Sequence, residues 1–476
     1  MEEQHKKSST SIRHLGGAFV GECSMHGIGH IFQRPFYRGI IWFVAVGVST
    51  GYLLYLLYKE WINYHQYPFL AISSVKSVSS IQFPAVTFCN LSPFNRSKVA
   101  SDPRDEVYHL SLSRLNNLVD EINWTDPYYQ NNGYFAPRTF NDVANETLEI
   151  NSVVKYITFD GKGVNLKHDL TEKVASNGMC YTWNSNGSVT TSSTGSSFNF
   201  IALLSVNNDQ NYQNTDCSNG FKVAVHDPLE DPAIENSGFL VPPGRIALAK
   251  LSKTTYSYLG PPFKAFGDTY CDDPSSPDFT NPVHPAPYSI NACKRKCESD
   301  LMFQRCGCIT LGSNGDHTIC SQYQYHQCLY NSSYQNTRSA TTFSTCDCPE
   351  PCQQTTYNAQ MSYAVYPTED TANFMSKKMG LPKDYFSENF VELHIHFDYL
   401  QVHKVEQVPL YTSYQDILSN IGGQMGLLLG ASLLSLLEFV EFFLNCGIFL
   451  LRKGFYKAHN NKVNKENYSE DEKIKN

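Results

Sequence analysis

Asn420-Ile421-Gly422-Gly423-Gln424-Met425-Gly426-Leu427-Leu428-Leu429-Gly430-Ala431-Ser432 lies within an apolar segment near the C-terminal end. Ile417 to Leu437 is 21 residues without a charge, enough to cross a bilayer as a helix. Gly422, Gly423, Gly426 and Gly430 crowd its first half. Glycine suits helices that approach closely, or a backbone that leaves helical geometry at membrane depth beside water. The stretch therefore reads as the lining of an ion pore, which the rest of the chain holds and moves.

Working outward, a second uncharged run, the 20 residues from Gly39 to Tyr58, sits between Arg38 and Lys59. The mean hydropathy of −0.34 averages over both runs and a polar middle. The polar opening residues predict no cleavable signal peptide, so the first run acts as an uncleaved anchor. Lys6, Lys7, Arg13, Arg34 and Arg38 precede it, and Arg452, Lys453 and Lys457 follow the second segment. By the positive-inside rule both termini are cytoplasmic and the middle is external. The net charge of −8 is too weak a bias to suggest nucleic acid.

Cysteine usage agrees. Of 15 cysteines, only Cys23 and Cys446 lie outside the middle region. Sequons fall there too, at Asn90, Asn95, Asn123, Asn145, Asn186 and Asn331. Both point to an oxidised, glycosylated ectodomain. Ten cysteines between Cys271 and Cys352 imply a stapled, rigid subdomain rather than a catalytic one. The spacing lacks the paired Cys-x₂-Cys of common zinc modules.

Val75–Phe88 reads as a strand, and periodicity around Val107–Ile122 as weakly helical. Ser197–Val206 and Phe221–His226 read as strands, and Ser185–Ser197 as an exposed loop. Residues 369–389 read as helical. Val391, Leu393, Ile395 and Phe397 alternate with Glu392, His394, His396 and Asp398, a half-buried strand leading into the second apolar segment. His394 and His396 are candidates for binding metal or protons; a solvated or hydrogen-bonded strand face is the plainer reading.

Phe83-Pro84-Ala85-Val86-Thr87-Phe88-Cys89-Asn90, the late cysteine cluster, and Gly422-Gly423-Gln424-Met425-Gly426 with Gly430-Ala431-Ser432 together resemble the degenerin/epithelial sodium channel superfamily. The tone is that of its acid-sensing and peptide-gated branch, most like cnidarian (Hydra-type) peptide-gated sodium channel subunits. The resemblance implies an α+β membrane protein with two transmembrane helices and a disulfide-rich extracellular domain of palm, β-ball, finger, thumb and knuckle. It also implies a homo- or heterotrimer at the plasma membrane that passes sodium, without cofactor or resident metal. The implied domains are a cytoplasmic arm over 1–38, a first span over 39–60 and an extracellular domain over 61–413. Within the last, the finger covers about 91–165, the thumb about 270–355 and the knuckle about 367–389. Residues 414–451 then form the second span and 452–476 the tail.

Residue by residue, the resemblance makes Gly430, Ala431 and Ser432 the selectivity filter and His26-Gly27 the gating motif. It makes Tyr67 and Phe266 a contact coupling thumb to membrane. It pairs Cys89–Cys180, Cys271–Cys352, Cys293–Cys348, Cys297–Cys346, Cys306–Cys328 and Cys308–Cys320. Cys217 is left over, as a buried thiol or a cross-link.

Three charges bear on ion handling. Asp416 either forms a ring at the outer mouth of a trimer, favouring calcium, or is a solvated charge at a helix N-terminus. Glu438 and Glu441 lie three apart on one face, toward a pore, its cytoplasmic vestibule or a partner, or else at an interfacial position where both reach water. Gating by protons needs clustered acids, yet Leu329 to Thr345, matching a thumb segment that carries acids in acid-sensing relatives, has no Asp or Glu. Asp227, Glu230, Asp231 and Glu235 remain, as half an acidic pocket or as contacts for a cationic, aromatic, amidated neuropeptide. The alternatives are a proton-gated, constitutive or mechanically gated channel, or a non-conducting membrane-tethered receptor. No nucleophile, metal or phosphate motif supports an enzyme.

Overall fold

The computed structural model describes residues 16–17, 19–21, 23–31, 36–99, 102–111, 122–175, 178–212, 218–234, 237–313, 317–330, 346–432 and 434–451. The chain divides into two units, one formed by Met1–Leu70 with Pro409–Asn476, the other by Ala71–Val408.

The first unit is helical. Helix Phe36–His65 extends the expected span at both ends. Ile41, Phe43, Val48 and Leu54 are exposed along it, as lipid-facing side chains are. The second apolar segment is not one helix. Tyr414–Leu429 forms one half-helix. It stops at Gly430, and a second runs Leu434–Leu451. By length and composition, Phe36–His65 and Leu434–Leu451 each qualify as a membrane span.

The second unit is built on two sheets. A seven-stranded sheet runs in the order Gln353–Val365, Arg245–Ser257, Phe390–Pro409, Phe200–Ser205, Val154–Phe159, Lys162–Gly163, with Phe69–Ser77 also on Phe390–Pro409. A five-stranded antiparallel sheet orders Phe239–Val241, Phe221–His226, Ala85–Asn90, Gly178–Trp183 and Leu170–Ala175. Their apolar faces meet in one core. Phe83, Phe88, Phe200, Leu204, Val391, Leu393 and Ile395 are fully buried in it. Phe83 packs edge-on against Phe159, Trp183 and Phe397. Each such side chain contributes on the order of 1.5–3 kcal/mol.

Several elements differ from expectation. The stretch from Val75 is three pieces, Phe69–Ser77, Ile81–Gln82 and Ala85–Asn90, because Ser79-Ser80 bends and Pro84 donates no ladder bond. The Ser185–Ser197 loop is tied down: Thr190–Thr191 pairs with Ile81–Gln82, and Thr191 is buried. Residues 369–389 split into Glu369–Met379 and Lys383–Asn389, because Gly380 caps the first with a left-handed backbone. Helix Pro103–Ser111 covers part of the weak periodicity; 112–121 lie outside the described residues.

Six disulfides join Cys89 to Cys180, Cys271 to Cys352, Cys293 to Cys348, Cys297 to Cys346, Cys306 to Cys328 and Cys308 to Cys320. The first bridges facing residues of adjacent strands. The second to fourth tie helix Ile290–Cys306 and its flanks to the segment from Cys346 to Cys352. Cys217 lies outside the described residues. Asn90 corrects the sequon reading: it is 4% exposed and its amide donates to the Val206 carbonyl, so folded chain leaves that side chain no room for a sugar. Asn123, Asn145 and Asn186 are exposed and Asn95 half-buried, while Asn331 is not among the described residues.

Candidate pore and ligand sites

The half-helix Tyr414–Leu429 begins with its own acid as cap. Asp416 accepts from the Thr412 amide (2.9 Å), the Thr412 hydroxyl (2.8 Å) and the Ser413 amide (3.0 Å). Gly422 and Gly423 leave open space where a side chain would be, so this face is free for another surface. The helix ends where Gly430 turns left-handed, at φ 59°. Gly430 N–H donates to the Gly426 carbonyl (3.0 Å) and Ala431 N–H to the Met425 carbonyl (3.3 Å). Ser432 starts the next helix: its amide donates to Ser435 Oγ (3.1 Å), and the Ser435 amide donates back to its hydroxyl (3.4 Å). Ser435 is 1% exposed.

The arm before the first span folds onto this break. His26 N–H donates to the Leu429 carbonyl at 3.0 Å, using an acceptor freed at the helix end. The His26 ring fills the space beside Gly430: a Cβ there would lie 1.6 Å from Nδ1. Gly27, at φ 89°, is equally constrained, since a Cβ would meet Val46 at 2.7 Å and Trp42 at 3.2 Å on the first span. Ser24 N–H donates to a Glu438 carboxylate oxygen (2.9 Å), and the Ser24 hydroxyl bonds Ser435 Oγ (2.6 Å). Leu53, Leu429 and Ala431 are buried together against Met25, Leu57, Met425 and Leu428. Phe19 stacks on Phe442 (4.5 Å).

His26, Gly27, Gly430, Ala431, Ser432 and Glu438 thus share one site. Glu441 is exposed and has no part in it, and Asp416 sits at the far end of its half-helix. Glu438 holds the arm. Ser24 and Ser435 carried no local signal in the sequence: a capping box has Glu or Gln three residues after its serine, where Ser435 stands after Ser432.

In the second unit, Asp227, Glu230 and Asp231 sit in the turn after strand Phe221–His226. Asp231 is bridged by Lys173 (2.5 Å) and Arg295 (2.9 Å). Its amide donates to the hydroxyl of Ser289, the N-cap of helix Ile290–Cys306. Glu230 accepts from the Asn291 side chain (2.8 Å). Burial, then the neighbouring Asp227 and Asp231 charges, push its pKa up to about 7. His226, bonded to Thr87 Oγ1 at 2.8 Å, is held below its ordinary value by burial. Glu235 lies outside the described residues. Lys173, Arg295 and Asn291, scattered in sequence, carried no local signal.

His394 bonds the Ser196 carbonyl (3.0 Å) and Glu392 (2.7 Å). Burial opposes its charge, but these two acceptors outweigh burial and raise its pKa. His396 is 8% exposed and lowered by burial. Among the described residues no group of three His, Cys, Asp or Glu side chains is placed to hold a metal. Tyr67 belongs to the first unit and Phe266 to the second, where it packs on Tyr258 at 4.5 Å.

Comparison with known proteins bears on the whole chain. The family described as amiloride-sensitive sodium channel matches residues 19–442. Acid-sensing ion channel 1C of Danio rerio is 29% identical over 451 residues, covering 89% of this chain and 82% of the relative. Acid-sensing ion channel 2 of Rattus norvegicus is 29% identical over 454 residues, covering 89% and 85%. A solved proton-activated chloride channel overlays 87% of this chain and 96% of its own, at 6% identity and a TM-score of 0.28, too loose to bear on function.

Proposed function

Because the chain belongs to the amiloride-sensitive sodium channel family, we propose that it is one subunit of a trimeric, plasma-membrane cation channel opened by an extracellular amidated neuropeptide. The observation that carries the channel reading is the break at Gly430-Ala431-Ser432. Freed carbonyls and small residues at membrane depth replace part of an ion's water shell, and three copies close a pore. His26 and Gly27 lock that break to the first span and set whether it can widen. Asp416 from three copies forms a negative ring that admits or binds calcium as well as sodium. Both termini are cytoplasmic, which puts Ala71–Val408 outside with the ligand.

Peptide rather than proton is favoured by the acid-free stretch Leu329–Thr345. Asp231 is already neutralised by Lys173 and Arg295. A second reading has one observation behind it: Glu230, raised to about 7, titrates in the range an acid sensor needs. The finger, thumb and knuckle segments complete the proposal.

Co-expression in oocytes with candidate partner subunits decides among these readings. The expected result is an amiloride-blocked sodium current evoked by an amidated peptide at pH 7.4, with little response to acid alone. A full acid-evoked current without peptide response sinks peptide gating. Surface expression without current in any combination sinks conduction.

A further inference from the structure

The junction between strand Phe390–Pro409 and half-helix Tyr414–Leu429 carries no motif of its own. Along the chain, Leu410–Ser413 is the link between Ala71–Val408 and the pore helix. Side chains tie this short linker to the outer end of the first span. Leu410 N–H donates to the Pro68 carbonyl at 2.9 Å. The Tyr411 hydroxyl donates to Glu60 Oε1 at 2.6 Å and accepts from the Asn63 amide at 3.2 Å. The Tyr411 ring lies edge-on to Tyr64 at 5.7 Å. Asn420, two turns into the half-helix, donates its amide to the same Glu60 Oε1 at 3.1 Å.

One carboxylate oxygen therefore gathers a donor from the linker and a donor from the pore helix. Charge-assisted hydrogen bonds are the stronger kind, and each carries direction. We propose that Glu60 is a positioning residue, and that Glu60–Tyr411–Asn420 forms a latch holding the outer end of the pore helix on the first span while the pore is shut. Opening must release or re-aim these bonds, so the latch sets how much linker movement the half-helix receives. The geometry stands apart from the channel reading; only the consequence for opening rests on it.

Tyr411→Phe is the clean variant, since it removes the hydroxyl and keeps the ring on Tyr64. Glu60→Ala removes the acceptor for both donors, and Asn420→Ala substitutes where Glu60→Ala fails to fold. In purified full-length protein, Glu60→Ala and Tyr411→Phe should each lower the thermal midpoint, with the double variant no worse than the more severe single. Additive effects overturn the latch, and this arm needs no conduction. In current recordings, Tyr411→Phe should raise the standing current or lower the half-activating peptide concentration at least threefold, with unitary conductance and sodium selectivity unchanged. Unchanged gating, or altered conductance, overturns the role in opening. Silence of the unaltered chain with every partner counts against the channel reading, and the midpoint cycle then decides the latch.

Discussion

Among the described residues, three helices end on a left-handed glycine: Ile290–Cys306 at Gly307, Glu369–Met379 at Gly380 and Tyr414–Leu429 at Gly430. Each glycine N–H donates to the carbonyl four residues back. As sequence and as backbone the three are alike. Their surroundings are not. A Cβ on Gly307 or Gly380 would meet nothing within 4 Å, whereas on Gly430 it would fall on the His26 ring. The first two glycines answer only to φ. The third answers to φ and to a side chain 404 positions away, and that second demand sets it apart from an ordinary helix end.

The largest expected effect tests this. Gly430→Ala should abolish current, because the left-handed backbone and the His26 ring both oppose the methyl group. Gly307→Ala and Gly380→Ala should fold, conduct with normal selectivity, and lose about 1–2 kcal/mol each. Adding His26→Gly to Gly430→Ala opens the space while leaving the φ cost, so surface expression or conduction should partly return. Normal current and sodium selectivity in Gly430→Ala would break the comparison outright.

The same contrast explains what was legible beforehand. Backbone demands show in sequence: the uncharged runs, the alternation from Val391 to Phe397 and the stop at Gly380 all carry their own periodicity or breaker residue. The family pattern supplied the cysteine partners, and it marked His26-Gly27 and Gly430-Ala431-Ser432, which the fold brings together. Surroundings do not show. That Asn90 is buried under Val206, that Thr191 is held by a two-residue strand pair, or that Glu438 holds the Ser24 amide follows only from what the fold brings alongside. Lys173 and Arg295 lie 58 and 64 positions from Asp231, so nothing local marked that acid as already paired.

Glu230 and Asp231 repeat the contrast within one turn. Asp231 has two cations, while Glu230 has an amide and two like charges. Its folded pKa of about 7 lies above the ordinary 4.5, so the folded chain binds that proton more tightly than the unfolded one. Stability from this group is greatest below about 4.5 and is lost as pH rises through about 7. Glu230→Gln keeps the acceptor for Asn291 and removes the charge. It should raise the thermal midpoint by roughly 1–2 °C at pH 8, with no gain at pH 4.5. A gain independent of pH would mean that packing, not titration, distinguishes the two acids. If Glu230 also drives opening, the variant flattens any acid modulation of the peptide response.

The smallest expected effect concerns two aspartates that cap their helices alike. Asp142 accepts from the Thr139 amide and hydroxyl, and Asp416 from the Thr412 amide and hydroxyl and the Ser413 amide. Each substitution to alanine should cost about 1 kcal/mol, as cap losses do. Only at Asp416 would three copies converge on an ion path. Asp416→Ala should therefore weaken calcium block or calcium permeation about twofold to threefold in current recordings, a change of order RT in site energy, while Asp142→Ala leaves calcium sensitivity alone. Because both variants lose a cap, any difference in calcium response reports the ring of charge rather than the helix end. Equal calcium responses would return Asp416 to the plain role it shares with Asp142.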